Sequence, residues 1–226
     1  MIAAGFDAVL VENFGDVPFM PRADAATTSA MTVAALAVRE ACPKAQLGIN
    51  VLRNDAAAAL AIAVAVGAEF IRVNVHTGAR VTDQGVIEGQ AGATLRLRRS
   101  LGGESVQIWA DVDVKHSAPL APFSIEDEAR DLEARGLAAA ILVTGDGTGR
   151  PVDLLKLDAV RRVVGVPVLV ASGATIETLD RLAATCDGVI VGSALRADGR
   201  AGGPIDPVSA GKFAEAFRRA FGKRTF

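Results

Sequence analysis

Seven short apolar runs, rich in valine and isoleucine, recur along the chain and predict buried β-strands. The runs begin at positions 7, 46, 69, 106, 139, 167 and 188, and each is bounded by polar or glycine-containing turns. Segments with helical patterns lie between most of them. This alternation predicts a parallel sheet with crossover helices, and no linker rich in proline or serine divides the chain. We therefore expect one α/β domain over residues 1–226.

Capping residues mark the start of a helix at three places. Ser124, with Asp127 three residues later, is a variant of the capping box. Asp206 followed by Pro207 combines an N-cap with proline at the first helical position. Thr175 is suited to cap a third helix. Helices are therefore predicted to begin after positions 124, 175 and 206.

Seven parallel strands are one fewer than a (β/α)₈ barrel contains, and that barrel normally takes about 250 residues. Ala3-Ala4-Gly5 resembles the last turn of a helix with a glycine C-cap, so a first strand is expected before it. We predict a TIM-type barrel truncated to seven strands in sequence order, with a gap between the first and the last. Its open edges would make this chain less stable or more prone to associate than a longer one. The alternative is an open doubly wound sheet, but no glycine-rich dinucleotide turn follows the first run.

Polar side chains stand at the carboxyl ends of the predicted strands, where parallel barrels carry their active sites. Their recurrence at seven successive strand ends predicts a polar mouth above an apolar interior. The alternative is that these side chains cap loops and satisfy backbone groups, as Asn54 and Asp55 would do before the next helix. The residues are Glu12, Asn13, Asn50, Arg53, Asn54, Arg72, Asn74, His76, Asp111, Asp113, Lys115, His116, Thr144, Ser172 and Ser193.

The last two strands end in small residues that suit an anion. Ser172-Gly173 and Gly192-Ser193 place glycine where backbone N–H groups can approach a phosphate, and barrels often bind phosphate at this position. The alternative is that both glycines only permit tight turns. The loop TGDGTG, from Thr144, could form another cradle, but it fits neither the P-loop nor the dinucleotide motif.

Long blocks of the sequence resemble the BtpA/SgcQ family. They include GFDAVLVENFGDVPF from Gly5, FIRVNVHTGARVTDQGVIEG from Phe70, ADVDVKHSAPL from Ala110 and VTGDGTG from Val143. The resemblance covers nearly the whole chain and implies a TIM-barrel fold related to phosphate-binding barrels. One cyanobacterial branch of the family is named for a role in photosystem I biogenesis, and the SgcQ branch is associated with sugar-metabolism gene clusters. Members carry a strand and a helix before the block that opens here, in agreement with the missing first strand.

The run DVDVKH, at the end of the fourth predicted strand, contains the most reactive side chains. Alternation along a strand puts Asp111, Asp113 and Lys115 on one face. We interpret Asp111 as a general base or metal ligand, Lys115 as a phosphate-binding cation or Schiff-base amine, and His116 as a proton carrier. Glu12, across the mouth, would form a carboxylate pair with Asp111 for acid–base chemistry or for Mg²⁺, the one candidate cofactor. The alternative is a solvated loop in which Lys115 pairs with Asp113.

Two functions fit this pattern. The first is an enzyme, a lyase, isomerase or hydrolase, that acts on a sugar phosphate or nucleotide derivative by acid–base chemistry. The second is a non-catalytic assembly or stability factor that uses the barrel as a binding scaffold. The polar mouth favours the enzyme. The residues predicted to bind the substrate or its phosphate are Asn50, Arg72, Asn74, Thr144, Gly145, Ser172, Gly173, Gly192 and Ser193.

Composition narrows the expected partners. Hydrophobic residues make up 50% of the chain, and a net charge of −2 gives no electrostatic footprint for nucleic acid or for an anionic membrane. The most apolar helical stretch, residues 56–66, is too short to cross a bilayer. Cys42 and Cys186 lack metal-ligand spacing and predict two buried, reduced thiols. We expect a cytoplasmic protein that binds a phosphorylated small molecule, without nucleic acid or membrane insertion, and a homo-oligomer as its candidate assembly.

Overall fold

The computed structural model describes residues 1–145, 151–199 and 202–222. Within them the strands form two separate sheets. The larger sheet contains β1 (Ala8–Glu12), β2 (Gln46–Asn50), β3 (Phe70–Val73), β6 (Gln107–Val112), β8 (Ala140–Val143), β9 (Val168–Val170) and β10 (Gly188–Val189). The smaller sheet contains β4 (Ala79–Thr82), β5 (Gly85–Glu88) and β7 (Ser117–Pro119).

All seven strands of the larger sheet are parallel and lie side by side in the order of the sequence. The sheet curls as part of a TIM barrel. Within the described ranges, β1 and β10 each have a strand partner on one side only. The predicted fold, seven parallel strands with a gap between the first and the last, is therefore confirmed.

Helices connect the strands and cover the outer face of the curled sheet. Their starts follow the predicted caps. The Ser124 hydroxyl accepts from the N–H of Asp127 at 3.1 Å, and Asp206 accepts from Ser209 at 3.0 Å. Thr175 caps a short 3₁₀ helix, Ile176–Thr178. The α-helices are α1 (Ala25–Ala41), α2 (Ala56–Val66), α3 (Ala91–Ser100), α4 (Ile125–Ala134), α5 (Leu154–Arg161), α6 (Leu179–Leu182) and α7 (Pro207–Phe221).

Alternating residues of each strand pack on opposite faces of the sheet. On β8, Ile141 and Val143 belong to the core between the sheet and its helices, whereas Leu142 faces the barrel interior. Two aromatic rings, those of Phe70 and Trp109, stack in this interior with centroids 3.7 Å apart. Gly48 makes room for them, since a Cβ there would lie 2.1 Å from the ring of Phe70. The interior below the mouth is therefore filled with side chains.

The smaller, antiparallel sheet was not predicted from the sequence. β4 and β5 form a hairpin between β3 and α3, and β7 lies between β6 and α4 and pairs with β4. Because both insertions follow the carboxyl ends of parallel strands, this sheet stands on the same side of the barrel as the predicted mouth. Its strands are only three or four residues long, too short to give a clear alternating pattern.

The two cysteines are both free thiols. Cys186 is buried, as predicted, but Cys42 is only half-buried, so the prediction of two buried thiols is wrong for Cys42. Cys42 is the C-cap residue of α1, and the chain turns there toward β2 at the protein surface. Over the described ranges, none of the helices is both long enough and apolar enough to span a membrane.

Candidate functional site

Register brings polar side chains from four neighbouring strands to one end of the barrel interior. Glu12 pairs with Asn50 across β1 and β2, and Arg72 pairs with Trp109, two residues before Asp111 on β6. These positions share the face of the interior aromatic rings but lie one layer nearer the carboxyl ends. The structure therefore brings Glu12, Asn50, Arg72 and Asp111 together, and Asn74 joins them just beyond β3.

Arg72 and Asp111 form a buried, two-pronged ion pair. Arg72 donates from Nε to Oδ1 of Asp111 and from Nη2 to Oδ2, both at 3.1 Å. The amide of Asn74 donates a short hydrogen bond to Oδ2 as well. Asp111 is only 1% exposed, and both of its oxygens are engaged by donors. In this arrangement Asp111 holds Arg72 in place and has little access to a substrate.

Glu12 is the more accessible carboxylate of the cluster. Its side chain is 24% exposed, accepts from Nδ2 of Asn50 at 3.0 Å and lies 3.9 Å from Nη1 of Arg72. Burial alone lowers the pKa of Arg72, but the carboxylates of Asp111 and Glu12 outweigh it and hold that pKa above its ordinary value. Arg72 is therefore a permanent cation between two carboxylates.

Lys115 lies half-buried beside this cluster. Its backbone N–H donates to the hydroxyl of Thr144 at 3.2 Å, which ties the segment after β6 to the end of β8. Burial lowers the pKa of Lys115, the neighbouring Arg72 lowers it further, and Asp111 and Glu12 partly oppose this. The side chain therefore loses its proton more readily than an exposed lysine does.

Arg53 belongs to the same cluster, although the predicted substrate-binding residues did not include it. Its side chain is buried, and Nη2 donates to the carbonyl oxygen of Lys115 at 2.9 Å. Burial is the main reason why the pKa of Arg53 is lowered, and its charge interacts with those of Asp111, Arg72 and Glu12. Its position directly after a strand was visible in the sequence, but its burial was not.

Asp113 and His116 lie outside this arrangement. The backbone of Asp113 is left-handed, with φ of 46°, and its carboxylate turns to Arg80 and to Nζ of Lys156, the latter at 2.8 Å. The prediction that Asp113 shares a face with Asp111 and Lys115 is wrong, because β6 ends at Val112 and strand alternation ends with it. Asp113 also does not pair with Lys115, the alternative considered from the sequence. His116 is exposed and left-handed, with φ of 57°.

The predicted Mg²⁺ ligands do not form a suitable donor set. Glu12 and Asp111 both contact the guanidinium of Arg72, and both oxygens of Asp111 already accept hydrogen bonds. A cation between two carboxylates takes the place that a metal ion would need. Among the residues that the structure describes, no group of three or more His, Cys, Asp and Glu side chains could hold a metal ion.

The predicted phosphate-binding residues lie at the neighbouring ends of β9 and β10. The N–H of Ile190 donates to the oxygen of Val170 at 2.7 Å, so the two loops start side by side. Gly173 has a left-handed φ of 74°, and a Cβ at Gly192 would meet no atom within 4 Å. The amide N–H groups at positions 172, 173, 192 and 193 donate to no acceptor in the described part of the chain.

The glycine-rich loop after β8 lies only partly within the described residues. Thr144 and Gly145 are buried at the end of that strand, close to Lys115. Residues 146–149 of the predicted second cradle lie outside the described ranges.

Solved structures with the same fold are enzymes of the TIM-barrel class. Thiamine phosphate pyrophosphorylase from Pyrococcus furiosus aligns with a TM-score of 0.65 and 15% identity, over 98% of this chain and 87% of that one. A 3-keto-L-gulonate-6-phosphate decarboxylase from Vibrio cholerae aligns with a TM-score of 0.59 and 16% identity, over 97% and 87% of the two chains. At these identities the likeness establishes the fold alone.

Relatives found by sequence share a much higher identity with this chain than these solved structures do. An uncharacterized protein of Thermococcus kodakarensis is 47% identical over 94% of this chain and 80% of its own length. The photosystem I biogenesis protein BtpA of Synechocystis is 45% identical over 96% of this chain and 75% of its own length. The model of the BtpA family matches residues 1–219. The chain therefore belongs to the BtpA family.

Proposed function

We propose that this protein is an enzyme that binds a phosphorylated small molecule, a sugar phosphate or nucleotide derivative, at the carboxyl end of its barrel. The observation that carries the proposal is the charged cluster at that end, in which Arg72 and Asp111 are buried and Glu12 and Lys115 are half-buried. Charges are costly to bury, and a fold that needed only stability would be served by apolar side chains here. Such clusters are typical of active sites.

The phosphate would bind at the ends of β9 and β10. Four neighbouring amide N–H groups, at positions 172, 173, 192 and 193, lack acceptors within the described residues, and a phosphate offers several acceptor oxygens. Ser172 and Ser193 add hydroxyl donors at the same place. Gly192 is exposed and leaves open space for the ligand. Thr144 and Gly145, at the end of β8, stay predicted ligands of the same substrate.

The acid–base chemistry would fall to Lys115 and Glu12. Burial lowers the pKa of Lys115, so its ammonium group gives up a proton to a substrate more readily than an exposed lysine does. Glu12 is accessible, and Asn50 orients it. Asp111, which also accepts from Asn74, holds Arg72, and Arg72 would stabilise negative charge that develops on the substrate. These roles suit a lyase, an isomerase or a hydrolase. The predicted role of His116 in proton transfer stays a prediction.

A second candidate function is that of an assembly factor. The Synechocystis relative is named a photosystem I biogenesis protein. Exposed apolar side chains, Leu120 and Phe123, flank a groove of about 300 Å³ beside β4 and α4. A scaffold of this kind would keep its partner when the mouth is altered, whereas the enzyme would not keep its substrate.

A ligand screen by thermal denaturation tests the proposal. Sugar phosphates and nucleotides at about 100 times their Kd should stabilise the chain by roughly 2.7 kcal/mol, and their unphosphorylated parents should not. Gly192→Val should abolish the shift, because the new side chain fills the space in front of these amides. Since a Cβ at this position meets no atom within 4 Å, the melting temperature without ligand should stay the same.

Gly211→Val on α7 is the matched control, since a Cβ there also meets no atom within 4 Å. This variant should keep the full ligand shift. A phosphorylated ligand that stabilises Gly192→Val as strongly as the unchanged chain would contradict the phosphate site.

A further inference from the structure

Arg53 is a buried cation whose hydrogen bonds are incomplete. The residue is 6% exposed, and its side chain donates one hydrogen bond, from Nη2 to the backbone oxygen of Lys115, among the residues described. Its Nε is buried and has no hydrogen-bond partner in the described part of the chain. A guanidinium has five N–H donors, and leaving a buried donor unpaired costs about 1–3 kcal/mol. An acceptor from outside the protein would remove that cost.

The charges of the cluster do not cancel. Arg72 and Asp111 neutralise each other in their two-pronged pair. Within the mouth, Arg53 and Lys115 then face Glu12, so two positive charges against one negative charge leave one positive charge there. Lys115 Nζ forms no ion pair with any residue in the described ranges.

Asp83 also attracts Arg53, but it does not fill this role. It lies exposed in the turn between β4 and β5, where water and salt screen its charge. A screened carboxylate at the surface cannot supply the hydrogen-bond acceptor that the buried Nε of Arg53 lacks.

We infer that the substrate carries a carboxylate besides its phosphate, and that Arg53 and Lys115 bind this carboxylate; the inference rests on the proposed function. A carboxylate brings one negative charge, which matches the one uncompensated positive charge, whereas a second phosphate would bring nearly two. The planar fork of an arginine also matches the two oxygens of a carboxylate.

The carboxylate subsite and the phosphate subsite are built from different strand ends of the mouth. Arg53 follows β2, and Lys115 follows β6, whereas the amides of the phosphate subsite follow β9 and β10. Three strands, β3, β6 and β8, separate β2 from β9 in the curled sheet, and β8 separates β6 from β9. The ligand that fits both subsites is therefore an elongated one with an anion at each end, such as a phosphorylated sugar acid.

Calorimetric titration with three probes tests the inference. The probes are 6-phosphogluconate, which has a phosphate and a carboxylate, glucose 6-phosphate, which has the phosphate only, and fructose 1,6-bisphosphate, which has two phosphates. The unchanged chain should bind 6-phosphogluconate at least tenfold more tightly than either of the others, as expected for charge-assisted hydrogen bonds to a carboxylate.

Lys115→Gln and Arg53→Gln should each cut this preference to less than about threefold, because they weaken the binding of 6-phosphogluconate more than that of glucose 6-phosphate. Lys44→Gln is the matched control, because Lys44 is exposed and precedes β2 at the opposite end of the sheet. If Arg53→Gln does not fold, Lys115→Gln decides alone, since the Lys115 side chain holds no other described residue.

The two proposals fail differently in this experiment. Equal affinity for 6-phosphogluconate and glucose 6-phosphate would overturn the carboxylate subsite and leave the phosphate site standing. Tighter binding of fructose 1,6-bisphosphate than of 6-phosphogluconate would also contradict the carboxylate subsite. If none of the three probes nor inorganic phosphate binds, the proposed function itself is wrong, and the inference fails with it.

Discussion

At the scale of single residues, burial separates side chains that look alike in the sequence. Asp111 and Asp113 are two residues apart, yet Asp111 is buried and pairs with Arg72, whereas Asp113 pairs with Arg80 and Lys156. Strand alternation predicted the position of Asp111 at the mouth. It could not predict the left-handed backbone at Asp113, because a single residue in that conformation leaves no periodic signal.

Replacing Lys115 with methionine should stabilise the fold at pH 7, and the gain should disappear near pH 11. Burial lowers the pKa of Lys115 below its value in the unfolded chain. The charge of Arg72 lowers this pKa further, and the charges of Asp111 and Glu12 partly oppose the shift. At pH values between the folded and the unfolded pKa of Lys115, the folded state binds fewer protons than the unfolded state. The stability of the unchanged chain therefore rises with pH up to the unfolded pKa of about 10.4. The methionine variant lacks this dependence.

Urea denaturation at several pH values measures the effect. Lys44→Met, at an exposed lysine, should give no such pH-dependent difference. A gain in stability that is the same at pH 7 and pH 11, or a loss at pH 7, would show that burial does not disfavour the charged form of Lys115.

At the scale of elements, the long periodic segments were predictable and the small sheet was not. Three helix starts agree with their caps, because a cap is a local arrangement of neighbouring residues. β4, β5 and β7 are held by contacts distant in sequence. Arg80 on β4 donates to Ser117 on β7 at 2.6 Å and pairs with Glu128 on α4 at 3.0 Å. No local sequence pattern predicts such a cluster.

Arg80→Met should destabilise the fold by about 3 kcal/mol, the lower end of the range for breaking a buried ion pair. The Arg80 side chain is 5% exposed, and its loss would leave the half-buried Glu128 without its cation, although the N–H of Asp113 would still donate to it. Asp113 keeps Lys156 and is partly exposed, which limits the cost. Arg130→Met is the control on α4, since its pair with Asp127 is exposed on both sides and should be worth less than about 1 kcal/mol. Equal losses in the two variants, read from urea denaturation, would contradict the structural role of Arg80.

At the scale of the whole molecule, the sequence predicted the parallel order of the strands and the location of the polar mouth. Both follow from regular repetition, since apolar runs form the sheet and polar residues recur where those runs stop. The side-chain contacts inside the mouth could not be predicted from this repetition. Arg53 joins Lys115 across 62 positions of the chain, a contact that depends on how the whole sheet curls.

The measurement that tests the central claim most directly is a titration of the isotope-labelled chain with inorganic phosphate, followed by the backbone amide resonances. The account predicts that the largest, saturable shifts fall on Ser172, Gly173, Gly192 and Ser193, and that they vanish in Gly192→Val. Shifts concentrated at the opposite end of the sheet, around Lys44 and Gly102, or no saturable shift at all, would contradict a phosphate site at the carboxyl end of the barrel.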